Sequence, residues 1–287
     1  MDSGFMLWLF CVSLAASALG GMLGMASGIF IVPVLTMFGH IEIHKAIGAS
    51  IVSVIACSCG GAVPLLRSRL TNVRLGIVLE TATTMGALTG VLLAGIAPVS
   101  FLYFLFAVIL FLSAQQMLAR RRDPGLASIP TEDRHWVAAL RLDSSYFDRE
   151  LGREVPYRVH RLPLGMILMY GAGLISALLG IGSGVLKIPA MDTAMRLPIK
   201  VSSATSTFMI GVTAAASAGA YFMRGNIATA VAGPVALGSV IGAFVGARVL
   251  MIVPNKRLRF LFVVILVVLG IQMLLTVFGI HLGKASP

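Results

Sequence analysis

Eight long apolar windows run through the chain, at about 5–26, 46–66, 75–95, 99–119, 162–186, 201–223, 227–247 and 258–280. A helix of about 20 apolar residues crosses the ~30 Å hydrocarbon core of a bilayer, and most of these windows are long enough. Only 11% of the residues are charged, against roughly 25% in an ordinary soluble domain. So little charge cannot cover a globular surface, and the surplus apolar area must face lipid. The expected class is an all-α polytopic membrane protein, multi-pass in the cell (inner or plasma) membrane.

The formal net charge is +11. In a soluble chain that would point to nucleic acid, but no basic stripe with interleaved aromatics is present. Basic residues at the cytoplasmic ends of spans are the simpler reading. Cys11, Cys57 and Cys59 form no CxxC and have no histidine cluster beside them. They suggest neither a metal nor a redox site and are expected as small packing residues inside helices. No cofactor is implied, and without a Walker A sequence ATP hydrolysis is not expected. The run Phe5–Leu19 is apolar, yet Met1–Gly4 holds Asp2 and no Lys or Arg, so it lacks the basic start of a signal peptide.

One polar stretch, 120–161, separates membrane regions at 1–119 and 162–287. It carries nine of the 22 basic residues and seven of the 11 acidic ones. A short amphipathic helix near His135–Leu142 is the structure expected in it. Arg120, Arg121 and Arg122 adjoin the fourth window, which places the stretch in the cytoplasm.

The two flanking regions repeat each other at an offset of 156 residues. Gly24, Ser27, Gly28 and Pro33 recur as Gly180, Ser183, Gly184 and Pro189. Ser50 falls on Ser206, Pro98 on Pro254 and Gln116 on Gln272. Phe104–Leu110 falls on the near-identical Phe260–Leu266. Gly86 and Gly90 match Gly238 and Gly242 if a small gap is allowed. Shared Gly, Ser, Pro and Gln positions in one register point to duplication, and two like halves around a midplane site are a common transporter plan.

Charge counting bears on how the halves are related. If windows five to eight were four simple spans, Arg196, Lys200, Arg248, Lys256, Arg257 and Arg259 would all lie outside, against the positive-inside rule. The score reverses if Pro163–Met195, interrupted by Gly180, Gly182, Gly184 and Pro189, crosses twice. Phe5–Phe38 is broken in the same way. The expectation is two pseudo-symmetric repeats of four or five segments each, inverted, with Gly/Pro-broken helices near the midplane. Parallel halves with re-entrant hairpins are the competing topology.

Broken helices expose backbone N–H groups, and in a membrane such breaks are tolerated where they line a cavity. A half-helix N-terminus attracts an anion. Gly24, Ser27, Gly28, Gly180, Ser183 and Gly184 are therefore candidate substrate-binding residues; close helix packing is the alternative use of such glycines. Lys187 follows within the second break. An intramembrane lysine costs on the order of 3 kcal/mol to insert, which makes it a candidate for anion binding or gating rather than scaffold. Its register partner is Ile31. Hydroxyls follow each break: Ser50 and Ser53 first, then Ser202, Ser203, Thr205, Ser206 and Thr207. Ser50, Ser203, Thr205 and Ser206 are candidates for replacing an oxyanion's hydration shell.

Glu80, inside the third window, is either a proton-coupling carboxylate or the partner of Arg74 or Arg69. Asp192 is expected at the interface. His40 and His44 flank Glu42 in what reads as a solvated turn, and Asn72 and Asn226 as helix caps. No histidine lies inside a window, so the Ser-Gly pairs lack the base that nucleophilic catalysis needs. No enzyme is expected.

These residues also resemble a known family. Gly24-x-x-Ser27-Gly28-x-x-x-x-Pro33 is similar to the Gly-rich first-segment motif of the TauE/SafE sulfite exporter (toluene sulfonate uptake permease) family. His44–Ser50 resembles its following Ala-x-Gly-Thr-Ser stretch, with Ala49 for Thr; in the second half Ala204 stands for Gly. Ala26 and Ser27 replace more usual glycines. The resemblance covers nearly the whole chain and implies a secondary transporter of sulfite, organosulfonates or related small organic anions; protons, through Glu80, are a candidate second partner read from the residues. An anion channel, or a membrane scaffold or sensor that uses the 120–161 loop, are the other readings.

Overall fold

The computed structural model describes residues 3–39, 41, 43–93, 134–148, 152–179, 183–223 and 229–277, with single helical positions at Phe104, Ala107, Val108, Phe111, Ala114, Gln115 and Leu118. Helix α1 spans Ser3–Leu23, α2 Gly28–Met37, α3 Ile43–Arg67 and α4 Val73–Leu93. A short α5 (Arg134–Ala139) and strands β1 (Ser144–Asp148) and β2 (Arg153–Tyr157) follow. Then come α6 (Leu162–Leu179), α7 (Gly184–Pro189, continued by a π-helical turn over Ala190–Ala194), α8 (Ile199–Met223), α9 (Thr229–Ile252) and α10 (Asn255–Val277). Among the described residues, Ser3–Leu23, Gly48–Arg67 and Thr229–Ile252 are long and apolar enough to cross a membrane. Most of the fourth window lies outside the described residues.

The first long apolar run stops where the sequence supplies a breaker. Helix α1 ends at Gly24, whose φ of 72° lies in the left-handed region. The Met25 N–H then reaches back to the Gly20 carbonyl at 3.0 Å, closing a Schellman turn. The chain restarts at Gly28 as α2.

The broken helices repeat at the register read from the sequence: α2 and α7 open at Gly28 and Gly184, 156 residues apart. Packing crosses between the regions: α1 lies along α9, α6 lies along α4, and α3 meets α8 directly. Glycines permit both close crossings. A Cβ on Gly86 would stand 3.0 Å from Tyr170 Cα, and one on Gly242 would stand 3.0 Å from Leu14 Cα. These two contacts are the same contact at the 156-residue offset. The match of Gly86 with Gly238 through a gap is therefore corrected: Gly86 corresponds to Gly242 and Gly90 to Gly246, with no gap.

The polar stretch differs from expectation. Its helix is present at Arg134–Ala139, but an antiparallel hairpin follows, with Ser144 opposite Tyr157 and Asp148 opposite Arg153. Tyr146 and Tyr157 share a core with Val137, Leu142, Leu70 and Leu197, so this cap packs on the loops between α3 and α4 and before α8. Asn72 fastens it. Its Oδ1 accepts the Leu75 N–H at 3.1 Å, the expected cap of α4. Its Nδ2 donates to the Leu142 carbonyl at 2.8 Å and to the Tyr157 hydroxyl at 3.2 Å. Its own N–H donates to Thr205 Oγ1 at 3.1 Å. Burial pushes the Tyr157 hydroxyl above the ordinary phenol value.

Arg69, Arg141, Arg161 and Arg196 are the non-glycine residues of positive φ among those described. Each is exposed and each precedes a buried leucine: Leu70, Leu142, Leu162 and Leu197. The left-handed turn drives the leucine inward while the guanidinium stays in water. Of the cysteines, Cys57 is buried as expected, whereas Cys11 and Cys59 lie on exposed helix faces.

Candidate substrate site

The two helix breaks meet. A Cβ on Gly184 would lie 3.0 Å from Ala26 N and 3.0 Å from Met25 Cα, so the start of α7 rests on the turn that ends α1. That turn rests in turn on α8: a Cβ on Gly24 would stand 2.6 Å from Ser203 Cα, and Ser206 Oγ donates to the Gly24 carbonyl at 2.8 Å. Gly28 presses against the Ser50 hydroxyl. Glycine is required at each step because backbone meets backbone or a hydroxyl with no room for a side chain.

Neither Ser27 nor Ser183 caps its own helix. Ser27 Oγ instead bonds Ser53 Oγ at 2.9 Å, and Ser53 bonds Ser239 Oγ at 2.6 Å. In the second half the hydroxyls of Ser183, Ser202 and Ser203 are buried with no hydrogen-bond partner among the described residues, as are those of Ser17 and Thr71 in the first. Nearly all buried hydroxyls in proteins are paired, so three orphans around one helix break are a feature that a polar ligand would satisfy.

Lys187 on α7 is completely buried. Its Nζ lies 2.9 Å from Glu80 Oε2 on α4 and 3.0 Å from Thr213 Oγ1 on α8. Thr213 Oγ1 also donates to Glu80 Oε1, closing a triangle. Glu80 therefore pairs with neither Arg69 nor Arg74; Arg74 reaches the Arg141 carbonyl instead, at 3.5 Å. Lys187 is not snorkelling to an interface, because none of its surface is exposed. Two charges removed from water cost several kcal/mol each, and only close geometry with further hydrogen bonds offsets that. At the 156-residue offset Ile31 and Cys57 in the first half stand for Lys187 and Thr213, and Ala236 in the second half stands for Glu80. Charge is thus confined to one of two equivalent places.

A model of the sulfite exporter TauE/SafE family matches residues 9–273. The chain belongs to the TauE/SafE family. It is 24% identical over 239 residues, 83% of its length, to the probable membrane transporter protein YdhB of Bacillus subtilis (strain 168), of which 88% is covered. It is 21% identical over 270 residues, 92% of its length, to the probable membrane transporter protein YunE of the same organism, of which 95% is covered. No solved structure matches the chain. Family and relatives together make this TauE/SafE chain a membrane transporter.

Of the residues singled out in this TauE/SafE chain, Gly24, Ser203, Ser206 and Gly184 converge where the breaks touch. Gly28, Ser50 and Ser27 line the first half of that region, and Ser183 opens α7 beside it. Lys187 and Glu80 form the ionic centre. Thr205 faces elsewhere, accepting from Asn72 at the start of α4. Gly180, His40, Glu42 and Asn226 lie outside the described residues. Asp192, expected at the interface, is fully buried in the π-helical turn. Thr213 and Ser239 were not singled out from sequence. Thr213 lies two turns after Ser206, on the same face of α8; that spacing is the signal that could have found it.

Proposed function

We propose that the chain is a secondary transporter of sulfur-containing anions such as sulfite, organosulfonates or related small organic anions, working by alternating access. The substrate sits where the two helix breaks meet, near the midplane of inverted repeats, with the 120–161 stretch in the cytoplasm. The orphan hydroxyls of Ser183, Ser202 and Ser203 and the N–H groups opening α7 receive its oxygens.

The observation that carries this reading is the buried Lys187 held by Glu80 and Thr213 beside the second break. A lysine committed to a carboxylate has no charge to offer an anion. Protonation of Glu80 removes the competing charge and leaves Lys187 free for an incoming oxyanion, which links anion movement to a proton. The exchange needs no net change of buried charge, because the anion takes the carboxylate's place opposite the ammonium.

Counterflow in proteoliposomes tests the proposal. Vesicles loaded with unlabelled sulfite or a simple sulfonate should accumulate the labelled compound, and Lys187→Ala should abolish accumulation. Glu80→Gln should keep exchange while losing the response to a pH gradient. An absence of counterflow with a panel of sulfur oxyanions and small carboxylates would overturn the reading. So would full accumulation by the Lys187→Ala protein.

A further inference from the structure

A shallow groove of about 310 Å³ lies between the last turns of α3 and the final third of α9. Arg67 and Ser68 edge it on one side and Arg248 on the other, with Val63, Phe244 and Met251 as apolar walls. Among the described residues that line it, none is acidic. The Arg248 guanidinium stands 4.4 Å from the centroid of the Phe244 ring, a cation–π contact that holds it over the groove. Among the described residues, neither Arg67 nor Arg248 has a carboxylate partner.

The groove opens onto an apolar flank. Leu66 is exposed at its edge, and Leu237, Ile241 and Val245, which precede Arg248 on α9 at helical spacing, form an exposed stripe toward the middle of that helix. Below the two guanidiniums the surface thus suits hydrocarbon, and at their level it suits an anion. At the 156-residue offset Met223 and Leu92 stand for Arg67 and Arg248, so the paired charges are not part of the repeated scaffold.

We propose that this groove binds the headgroup of an anionic phospholipid, with the phosphate between Arg67 and Arg248 and the acyl chains along the α9 stripe. Guanidinium forks match phosphate oxygens in pairs, and basic grooves between membrane helices on the cytoplasmic side suit anionic headgroups. A zwitterionic lipid would bring an ammonium toward two uncompensated guanidiniums, which repel it. A free phosphate would leave the apolar walls and the exposed stripe without an occupant. The site is separate from the Lys187 region and does not depend on what the protein transports.

Native mass spectrometry of the full chain released from detergent micelles tests this. Phosphatidylglycerol, phosphatidylcholine and inorganic phosphate are titrated separately against the wild type, Arg67→Gln/Arg248→Gln and each single substitution. The wild type should retain one phosphatidylglycerol in preference to phosphatidylcholine. Each arginine lost should weaken that preference about fivefold. Both residues are exposed, and the single variants carry the test should the double variant fail to fold. Arg67→Lys/Arg248→Lys should fall between, keeping charge but losing the fork. Equal phosphatidylglycerol retention in the wild type and the Gln variants would overturn the proposal. So would inorganic phosphate that competes as well as the lipid.

Discussion

Lys187 Nζ sits 2.9 Å from Glu80 Oε2, joining side chains from opposite sides of the polar stretch. Removing one partner leaves the other charge buried and alone. Lys187→Met or Glu80→Leu singly should each cost about 3–5 kcal/mol of stability. The double substitution should cost less than either single one. Thermal unfolding of the four proteins in one detergent gives the coupling; additive losses would mean the pair is not a unit.

Gly24→Ala should destabilise the protein by roughly 1–3 kcal/mol, because a left-handed residue gains a side chain and that side chain meets the Ser203 backbone. Gly4→Ala, which has open space around it, should be neutral. The same unfolding assay checks both, and equal effects would contradict the close approach of the first break to α8.

Gly86→Leu and Gly242→Leu should do comparable damage, each above about 3 kcal/mol, since each forces a side chain into the backbone of the helix alongside. Gly171→Leu, with nothing nearby, should fold. Yield of monodisperse protein after purification is the readout. A tolerated Gly242→Leu beside a disrupted Gly86→Leu would argue that the two crossings are not equivalent.

Asn72→Ala should loosen the cap. It loses the side-chain bond that starts α4, worth about 1 kcal/mol, together with the bonds to Leu142 and Tyr157. Limited proteolysis within 134–157 should accelerate. Asn72→Asp keeps the acceptor but not the donor, so helix α4 should hold while the hairpin loosens. Wild-type protection should also fall at high pH. The Tyr157 value is raised above 10.0 in the fold, so the neutral phenol is favoured. That contribution is intact below about pH 10 and fades as pH rises through the folded value.

The helices were legible because lipid imposes a length and a composition on any segment that crosses it. The breaks at Gly24 and Gly184 were legible because Gly, Ser and Pro recur in one register. The hairpin was not. Ser144–Asp148 and Arg153–Tyr157 are short and polar, and they are held by Tyr146 and Tyr157 docking against Leu70 and Leu197, far away in sequence. The partner of Glu80 was hidden for the same reason. Arg74 lies six residues off and Lys187 107, and nothing local tells a carboxylate which cation the folded helices will bring to it.

Backbone and charge do not share the same regularity. Two helix breaks and two glycine crossings recur at one offset along the main chain, yet Ile31, Ala236 and Cys57 leave one of the two matching places electrically blank. The same backbone break thus stands in a charged setting at one place and an apolar one at the other, so a repeat of shape is not a repeat of electrostatic field.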